Sequence, residues 1–368
     1  MTDYPFTPLV ASLPSTVPFV GPEAQERQRG APFVARIGAN ENVFGPSKKA
    51  IAAMQAAAGE TWMYGDPENH DLKAALAAKH DVAPENIVVG EGIDCLFGYI
   101  NRMFVEDGVT VATSLGAYPT FNFHVAGFGG RLVTTPYVND CEDPGALLDL
   151  ARKENARLIY IANPDNPMAT WWDGATIQQM IDDVPDGALL CLDEAYGEFA
   201  PDGSLPPFDV SNPKVIRFRT FSKAYGMAGA RIGYAVGEAS LIKAFDKIRN
   251  HFGVNRIAQI GALASLNDPD HIPDVTGRVA AARERITEIA AASDLAALPS
   301  ATNFVAIDCG KNGDFARKVL AGLILQGIFV RMPGVAPQDR CIRVSAGRPP
   351  DLDAFAAALP KALNKAME

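Results

Sequence analysis

Residues 215–236 read VIRFRTFSKAYGMAGARIGYAV, two short apolar runs on either side of a turn that carries a Ser-Lys pair, two glycines and an arginine. Short apolar runs bounded by turn residues predict β-strands. Others precede them: NIVV at 86–89, TVAT at 110–113, RLIYIA at 157–162 and ALLCLD at 188–193. Helical patterns lie between, among them KKAIAAMQAAA (48–58), HDLKAALAAKH (70–80) and IDCLFGYINRMF (93–104). Strands alternating with helices predict an α/β fold whose sheet is largely parallel and covered on both faces. The nearly continuous apolar character of the runs fits burial on both sides.

Downstream, TGRVAAARERITEIAAA (276–292) has helical periodicity with charges on one side. NFVAIDC, the helical DFARKVLAGLILQG, then IFVRM, CIRVSA and a last helix follow, which predicts a smaller α/β domain over 275–368. A large domain is expected over 38–274. Residues 1–37, rich in proline and polar side chains, read as an extended arm that needs another surface to lie on. A length of 368 residues suits two interlocked domains.

Composition excludes several classes. Apolar residues make up 48% and charged ones 21%, as in an ordinary globular protein. The 43 acidic against 33 basic residues leave a net charge of −10, which argues against a nucleic-acid surface or an anionic membrane as partner. No run reaches the roughly 20 apolar residues needed to span a bilayer, and the amino terminus lacks a basic segment followed by an apolar core; the expected location is the cytoplasm. Five scattered cysteines without a CxxC pair speak against disulfides and structural zinc, and five histidines without HExxH give metal hydrolysis no support, so no metal is expected.

In wound α/β sheets ligands bind beyond the carboxyl ends of the strands. The residues there are unusually polar: GEGID after NIVV, NPDNP after RLIYIA, DEAY closing ALLCL, and TFSKAYGMAGAR after VIRFR. GEGIDC has Cys95 where a dinucleotide fingerprint needs its third glycine, and GxxxxGK[ST] is missing, so nicotinamide and nucleoside triphosphate sites are disfavoured. Each motif alone has an ordinary explanation as a cap, a turn or a surface charge. Together they supply an amine, an acid, hydroxyl donors and an anion site, the four things that pyridoxal phosphate requires.

At this point the chain resembles the class I/II aminotransferases of the fold type I pyridoxal-phosphate family, and among them the histidinol-phosphate branch. The likeness runs from GANENVFGPS (38–47) through YGDPENHDLKAALA, GEGID, NPDNP, DEAY and SKAYGMAGARIGY to CIRVSAG (341–347), with Cys95 and Met168-Ala169 departing from the usual pattern. The resemblance implies a large domain with a mixed, mostly parallel sheet sandwiched by helices, and a smaller carboxyl-terminal domain. Lys223 would carry the cofactor as a Schiff base and move the proton at the substrate α-carbon. Asp193 would pair with the pyridine nitrogen, while Asn166 and Tyr196 would bond the ring hydroxyl. Thr220, Ser222 and Arg231, with the N–H groups of Ile93 and Asp94, would hold the phosphate. Tyr118 would stack on the ring, although a core role suits it as well.

Tyr64 is similar to the tyrosine that reaches the partner subunit's phosphate, which implies a homodimer with a shared site. Arg343 matches the residue that grips the α-carboxylate, and Arg331 one that meets a substrate phosphate. Phe19 stands where the branch usually has tyrosine, which removes a donor and favours an apolar side chain. Asn40 either touches substrate or anchors its loop; both readings stay open. The implied reaction is transfer of an amino group from histidinol phosphate or an aromatic amino acid to 2-oxoglutarate. Two alternatives share the motifs, a threonine-phosphate decarboxylase and a regulator that binds pyridoxal phosphate without turning over.

Overall fold

The computed structural model of the protein describes residues 4–15 and 20–368. Its strands are, in chain order, β1 (Ala35–Arg36), β2 (Ile87–Gly90), β3 (Thr110–Ser114), β4 (Arg131–Thr135), β5 (Leu158–Ala162) and β6 (Leu189–Asp193). There follow β7 (Val215–Thr220), β8 (Gly233–Gly237), β9 (Ala296–Ala297), β10 (Phe304–Asp308), β11 (Ile328–Phe329) and β12 (Cys341–Ser345). Seven of them form one sheet in the order β2-β8-β7-β6-β5-β3-β4. Only β8 runs against its neighbours, pairing antiparallel with both β2 and β7, so the sheet is mixed and mostly parallel, as the pattern of runs predicts.

Side chains on β5, β6 and β7 are buried on both faces, which is why β5 and β6 read as nearly unbroken apolar runs, while β7 interleaves its apolar residues with Arg217 and Arg219. One face packs on the helix Ile93–Phe104, the other on Pro144–Glu154 and Gly174–Asp182. Helix starts are capped by the residue types that favour caps: Ser47, Asp173, Asn255 and Asn312 each accept a backbone N–H with a side-chain oxygen. The interior also holds charge. Glu194, just after β6, accepts from Arg217 at 2.6 Å and Arg219 at 2.8 Å, and the Arg217 guanidinium lies 4.0 Å from the centre of the Phe208 ring.

Antiparallel strands β12-β10-β9 form a second sheet, with the helices Gly313–Leu325 and Pro349–Met367 packed together beside it. Parallel strands β1 and β11 pair as a third. The segment expected to be extended is partly helical: Pro8–Ser12 and Pro22–Arg29 are both helices. Two of the prolines that suggested extension, Pro8 and Pro22, instead sit at the first helical position, where the missing N–H has no intrahelical partner to lose. Thr7 caps the first helix, and Gly30 ends the second at φ +72°.

Candidate active site

The carboxyl ends of β5, β6 and β7 converge on one cleft, and the second sheet brings β12 to its rim. Asp193, the last residue of β6, is 6% exposed. Its Oδ2 accepts from the Tyr160 hydroxyl at 2.8 Å and its Oδ1 from the Ala195 N–H at 2.9 Å. Burial, with Asp94 and Glu194 adding to it, raises this carboxyl to about 6 against the hydrogen bonds that favour its charge.

Lys223 follows β7 in the turn of the opening stretch. Its Nζ donates to the Asn40 carbonyl at 3.2 Å and stands 5.5 Å from the centre of the Tyr196 ring. Burial first, then the positive charges of Arg343 and Arg231, lower its ammonium to about 8. Although part of its surface stays open to the cleft, protein surrounds the amine closely enough to weaken its hold on a proton.

Asn40 ties the cleft together. It adopts φ +55°, a conformation asparagine tolerates better than most residues. Its Nδ2 donates to the Tyr196 hydroxyl at 2.9 Å, its Oδ1 accepts from Ser345 at 3.1 Å, and its carbonyl also accepts from Asn303 at 3.0 Å. Both of its side-chain atoms are engaged with protein, as a loop anchor's would be.

At the opposite end, Gly92 (φ +90°) opens the helix Ile93–Phe104, whose first N–H groups have no intrahelical partners. Ser222, Thr220 and Arg231 lie alongside: Arg231 Nη1 reaches Ser222 Oγ at 3.4 Å, and Ser222 N–H donates to Thr220 Oγ1 at 3.0 Å. A Cβ at Gly92 would sit 2.4 Å from Arg231 Nη2, so only glycine leaves this cradle open. Asp94 is 3.9 Å from Arg231 and accepts from the Tyr118 hydroxyl at 3.0 Å. Free N–H groups, two hydroxyls and a guanidinium around a space kept clear by glycine fit a phosphate. Facing them across the cleft, a poised amine and a buried acid fit the remainder of the expected cofactor.

At the rim of the cleft, Arg343 of β12 is 8% exposed; its Nη1 donates to Asn166 Oδ1, and its Nε, also buried, lacks a partner. Burial lowers its pKa as well. The side chains of Asn166 and Arg343 are thus held to each other. Arg331 pairs with Arg343 backbone to backbone, and its Nη2 donates to the Val20 carbonyl at 3.1 Å. Tyr64 stands outside this cluster, 76% exposed, with its ring tilted against that of Phe252 at 4.7 Å between centres. Phe19 lies outside the described residues.

Sequence reasoning passed over Tyr160, Ser345 and Asn303. Tyr160 had a signal: a buried tyrosine inside an apolar run has a hydroxyl that must find a partner, and the acid ending the next strand is the nearest candidate. Ser345 and Asn303 carried none, since their meeting with Asn40 depends on how the second sheet docks.

Comparison with known proteins bears on this geometry. The family model described as "Aminotransferase class I and II" matches residues 34–359. Histidinol-phosphate aminotransferase 1 of Mesorhizobium japonicum is 35% identical, over 91% of this chain and 92% of its own. Histidinol-phosphate aminotransferase of Anaeromyxobacter sp. is 33% identical over 97% and 98%. A crystal structure of histidinol-phosphate aminotransferase from Sinorhizobium meliloti, in complex with pyridoxal-5'-phosphate, is 54% identical with a TM-score of 0.96, over 99% of this chain and 98% of that one. Aspartate aminotransferase from Thermus thermophilus with maleate, 20% identical at a TM-score of 0.80, shares the fold.

Proposed function

This chain belongs to the aminotransferase class I and II family, and we propose that it is a pyridoxal-phosphate transaminase moving an amino group from histidinol phosphate or an aromatic amino acid to 2-oxoglutarate. The observation that carries the reading is Lys223, a buried amine lowered to about 8 in the same cleft as the buried acid Asp193. An ammonium at its ordinary pKa near 10.5 would be a poor base at neutral pH; at about 8 it both holds and releases a proton there. The relatives reported above are named as aminotransferases, so neither the decarboxylase nor the regulator is favoured.

When bound, pyridoxal phosphate supplies an aldehyde for the amino group and a ring that draws electrons from the substrate's α-carbon. Asp193 would hold its ring nitrogen, Asn166 and Tyr196 its ring hydroxyl, and Thr220, Ser222, Arg231 and the N–H groups of Ile93 and Asp94 its phosphate. Tyr118 would lie against the ring, its hydroxyl held by Asp94. Lys223 Nζ is the group that takes and returns the α-proton. Arg343 would orient the carboxylate of glutamate or 2-oxoglutarate, for which its unpartnered Nε is a ready donor. Arg331 would meet a second anion such as the phosphate of histidinol phosphate; Phe19, which lies outside the described residues, is expected from the sequence to favour an apolar portion of the donor.

The chain is taken to act in the cytoplasm on small molecules, with no nucleic-acid or membrane partner. Among the described residues no helix is long and apolar enough to cross a membrane. A homodimer with a shared site is supported by Tyr64, Phe252 and the 80%-exposed Trp62, aromatic surface that a monomer would leave in water. The arm over 1–37, large domain over 38–274 and small domain over 275–368 are proposed as its divisions.

The test is to add histidinol phosphate, phenylalanine, tyrosine or glutamate singly to the yellow holoenzyme and follow its visible spectrum. A change with histidinol phosphate or an aromatic donor, and with glutamate, is expected; silence with all four sinks the reading. Phe19→Tyr should tilt the preference toward the phosphorylated donor.

A further inference from the structure

The segment between β4 and the helix Pro144–Glu154 takes no part in the chemistry above, yet it touches both supports of Arg343. Val138 and Cys141 pair through two backbone hydrogen bonds of 2.9 and 3.0 Å. Asn139 (φ +50°) and Asp140 (φ +64°) make the two-residue tip between them. Two successive residues of positive φ across such a pair form the type I′ turn, for which asparagine and aspartate are the favoured residues after glycine.

That turn aims Asp140 at the second sheet. Asp140 Oδ1 and Oδ2 accept from Arg340 Nη1 and Nη2 at 3.0 and 2.8 Å, a two-pronged pair. Arg340 Nε is held in addition by Asp308 Oδ2 at 2.7 Å. The side chains of Arg340 and Asp140 are only 24% and 20% exposed, so water screens the pair far less than an ordinary surface bridge. Arg340 immediately precedes β12, and Arg343 is three residues along.

The same segment reaches the other support. Tyr137 donates to Asp165 Oδ1 at 2.9 Å, and Asp165 Oδ2 accepts from the Met168 N–H at 2.8 Å, which pins the turn containing Asn166. The Asp140 carbonyl accepts from Thr170 at 3.1 Å, closing the turn's far side. One short hairpin is thus bonded to the residue that leads into the strand bearing Arg343 and to the turn that bears its partner Asn166.

We propose that Asp140 and Arg340 are positioning residues that fix β12 against the large sheet and so set the aim of Arg343 at the carboxylate of the amino acid and of the 2-oxo acid. The proposal rests on Arg343 as the carboxylate-binding residue. It assigns the pair a role in substrate affinity, separate from holding the cofactor or from folding.

The test uses the holoenzyme and its Asp140→Asn, Arg340→Lys and doubly substituted forms. Asparagine keeps the volume and the tolerance for positive φ, and lysine keeps the charge while losing the fork. KM for 2-oxoglutarate and the inhibition constant of succinate should each rise about tenfold in either single variant. The double variant should rise no further, while kcat at saturation, cofactor retention and melting temperature stay near those of the parent. Unchanged KM and succinate affinity in both single variants overturn the proposal. So does a fall of kcat, cofactor retention and melting temperature in step, which would mark a merely structural bridge. Arg343→Gln separates the two premises: if it leaves KM for 2-oxoglutarate unchanged, the assignment of Arg343 fails and the proposal with it; if it raises KM while Asp140→Asn does not, only the proposal fails.

Discussion

Asp193 imposes a pH-dependent cost on the cofactor-free protein, and Asp193→Asn exposes it. Burial raises this carboxyl from an ordinary 3.8 to about 6. At about 1.4 kcal/mol for each pH unit, ionised Asp193 costs the cofactor-free fold about 3 kcal/mol. The sign follows from proton counting. Between these two values the folded state binds the proton that the unfolded chain has released, so the contribution to stability is complete below 3.8 and is lost as pH rises through 6. The cost is about 3 kcal/mol at pH 8, about half that at pH 5 and under about 1 kcal/mol at pH 4. Asparagine carries no such charge: its oxygen can accept from Ala195 N–H and its Nδ2 can donate to Tyr160, leaving only the tyrosine proton unsatisfied at a cost of about 1 kcal/mol.

Cofactor-free Asp193→Asn should therefore be about 2 kcal/mol more stable than the parent at pH 8, with the difference vanishing between about pH 4 and 5. Urea unfolding at one fixed protein concentration measures this, since any subunit association makes the midpoint concentration-dependent. The same substitution should abolish transamination. A variant no more stable than the parent at pH 8, or one whose advantage persists unchanged at pH 4, would refute the reasoning, because the effect would then not be one of charge.

Three further outcomes are expected. Recombination of the cofactor-free protein with pyridoxal phosphate should speed up about tenfold per pH unit and level off near pH 8, the value to which Lys223 is lowered; a rate still climbing at pH 10 would count against it, and Lys223→Ala should stay colourless throughout. Gly226→Ala should cost about 3 kcal/mol or more in thermal or urea unfolding, because Gly226 has φ +67° and its Cβ would lie 2.3 Å from the Gly45 carbonyl oxygen. Glu194→Ala should cost about 3–5 kcal/mol, since Arg217 and Arg219 would keep their buried charges without their shared carboxylate; a loss under 1 kcal/mol would show that water enters to replace it.

Strands buried on both faces were legible because most of their side chains are apolar: RLIYIA, ALLCLD and VIRFRT correspond to β5, β6 and β7 within a residue, although the last also buries Arg217 and Arg219. The edge strand β4 was not legible. Its RLVTT has arginine and threonine on exposed positions, and its pairing with β3 supplies the order that its composition does not. Strands β1 and β9 have two residues each, too few to leave a pattern, whereas the run IFVRM did mark the place of the equally short β11. In the cleft, the motifs at strand ends pointed to Lys223, Asp193 and Arg231, because ligand chemistry demands particular residue types there. The Asn40 network escaped, since its members lie up to 305 residues apart and no local pattern links Asn40 to Ser345.

The pairing of β1 with β11 joins Ala35 to Ile328 and Arg36 to Phe329, and a few residues on, Asn40 presents the carbonyl that Lys223 bonds. During synthesis, the segment that lines one wall of the cleft leaves the ribosome nearly three hundred residues before the strand that anchors it. Closing so long a loop is entropically slow. A nascent chain halted before residue 328 can complete the seven strands of the large sheet while its first forty residues have no strand to add to. Maturation of the cleft is therefore timed by the end of translation, and shortening the chain from its carboxyl end should disable the site at the amino-terminal wall before it dissolves the large sheet.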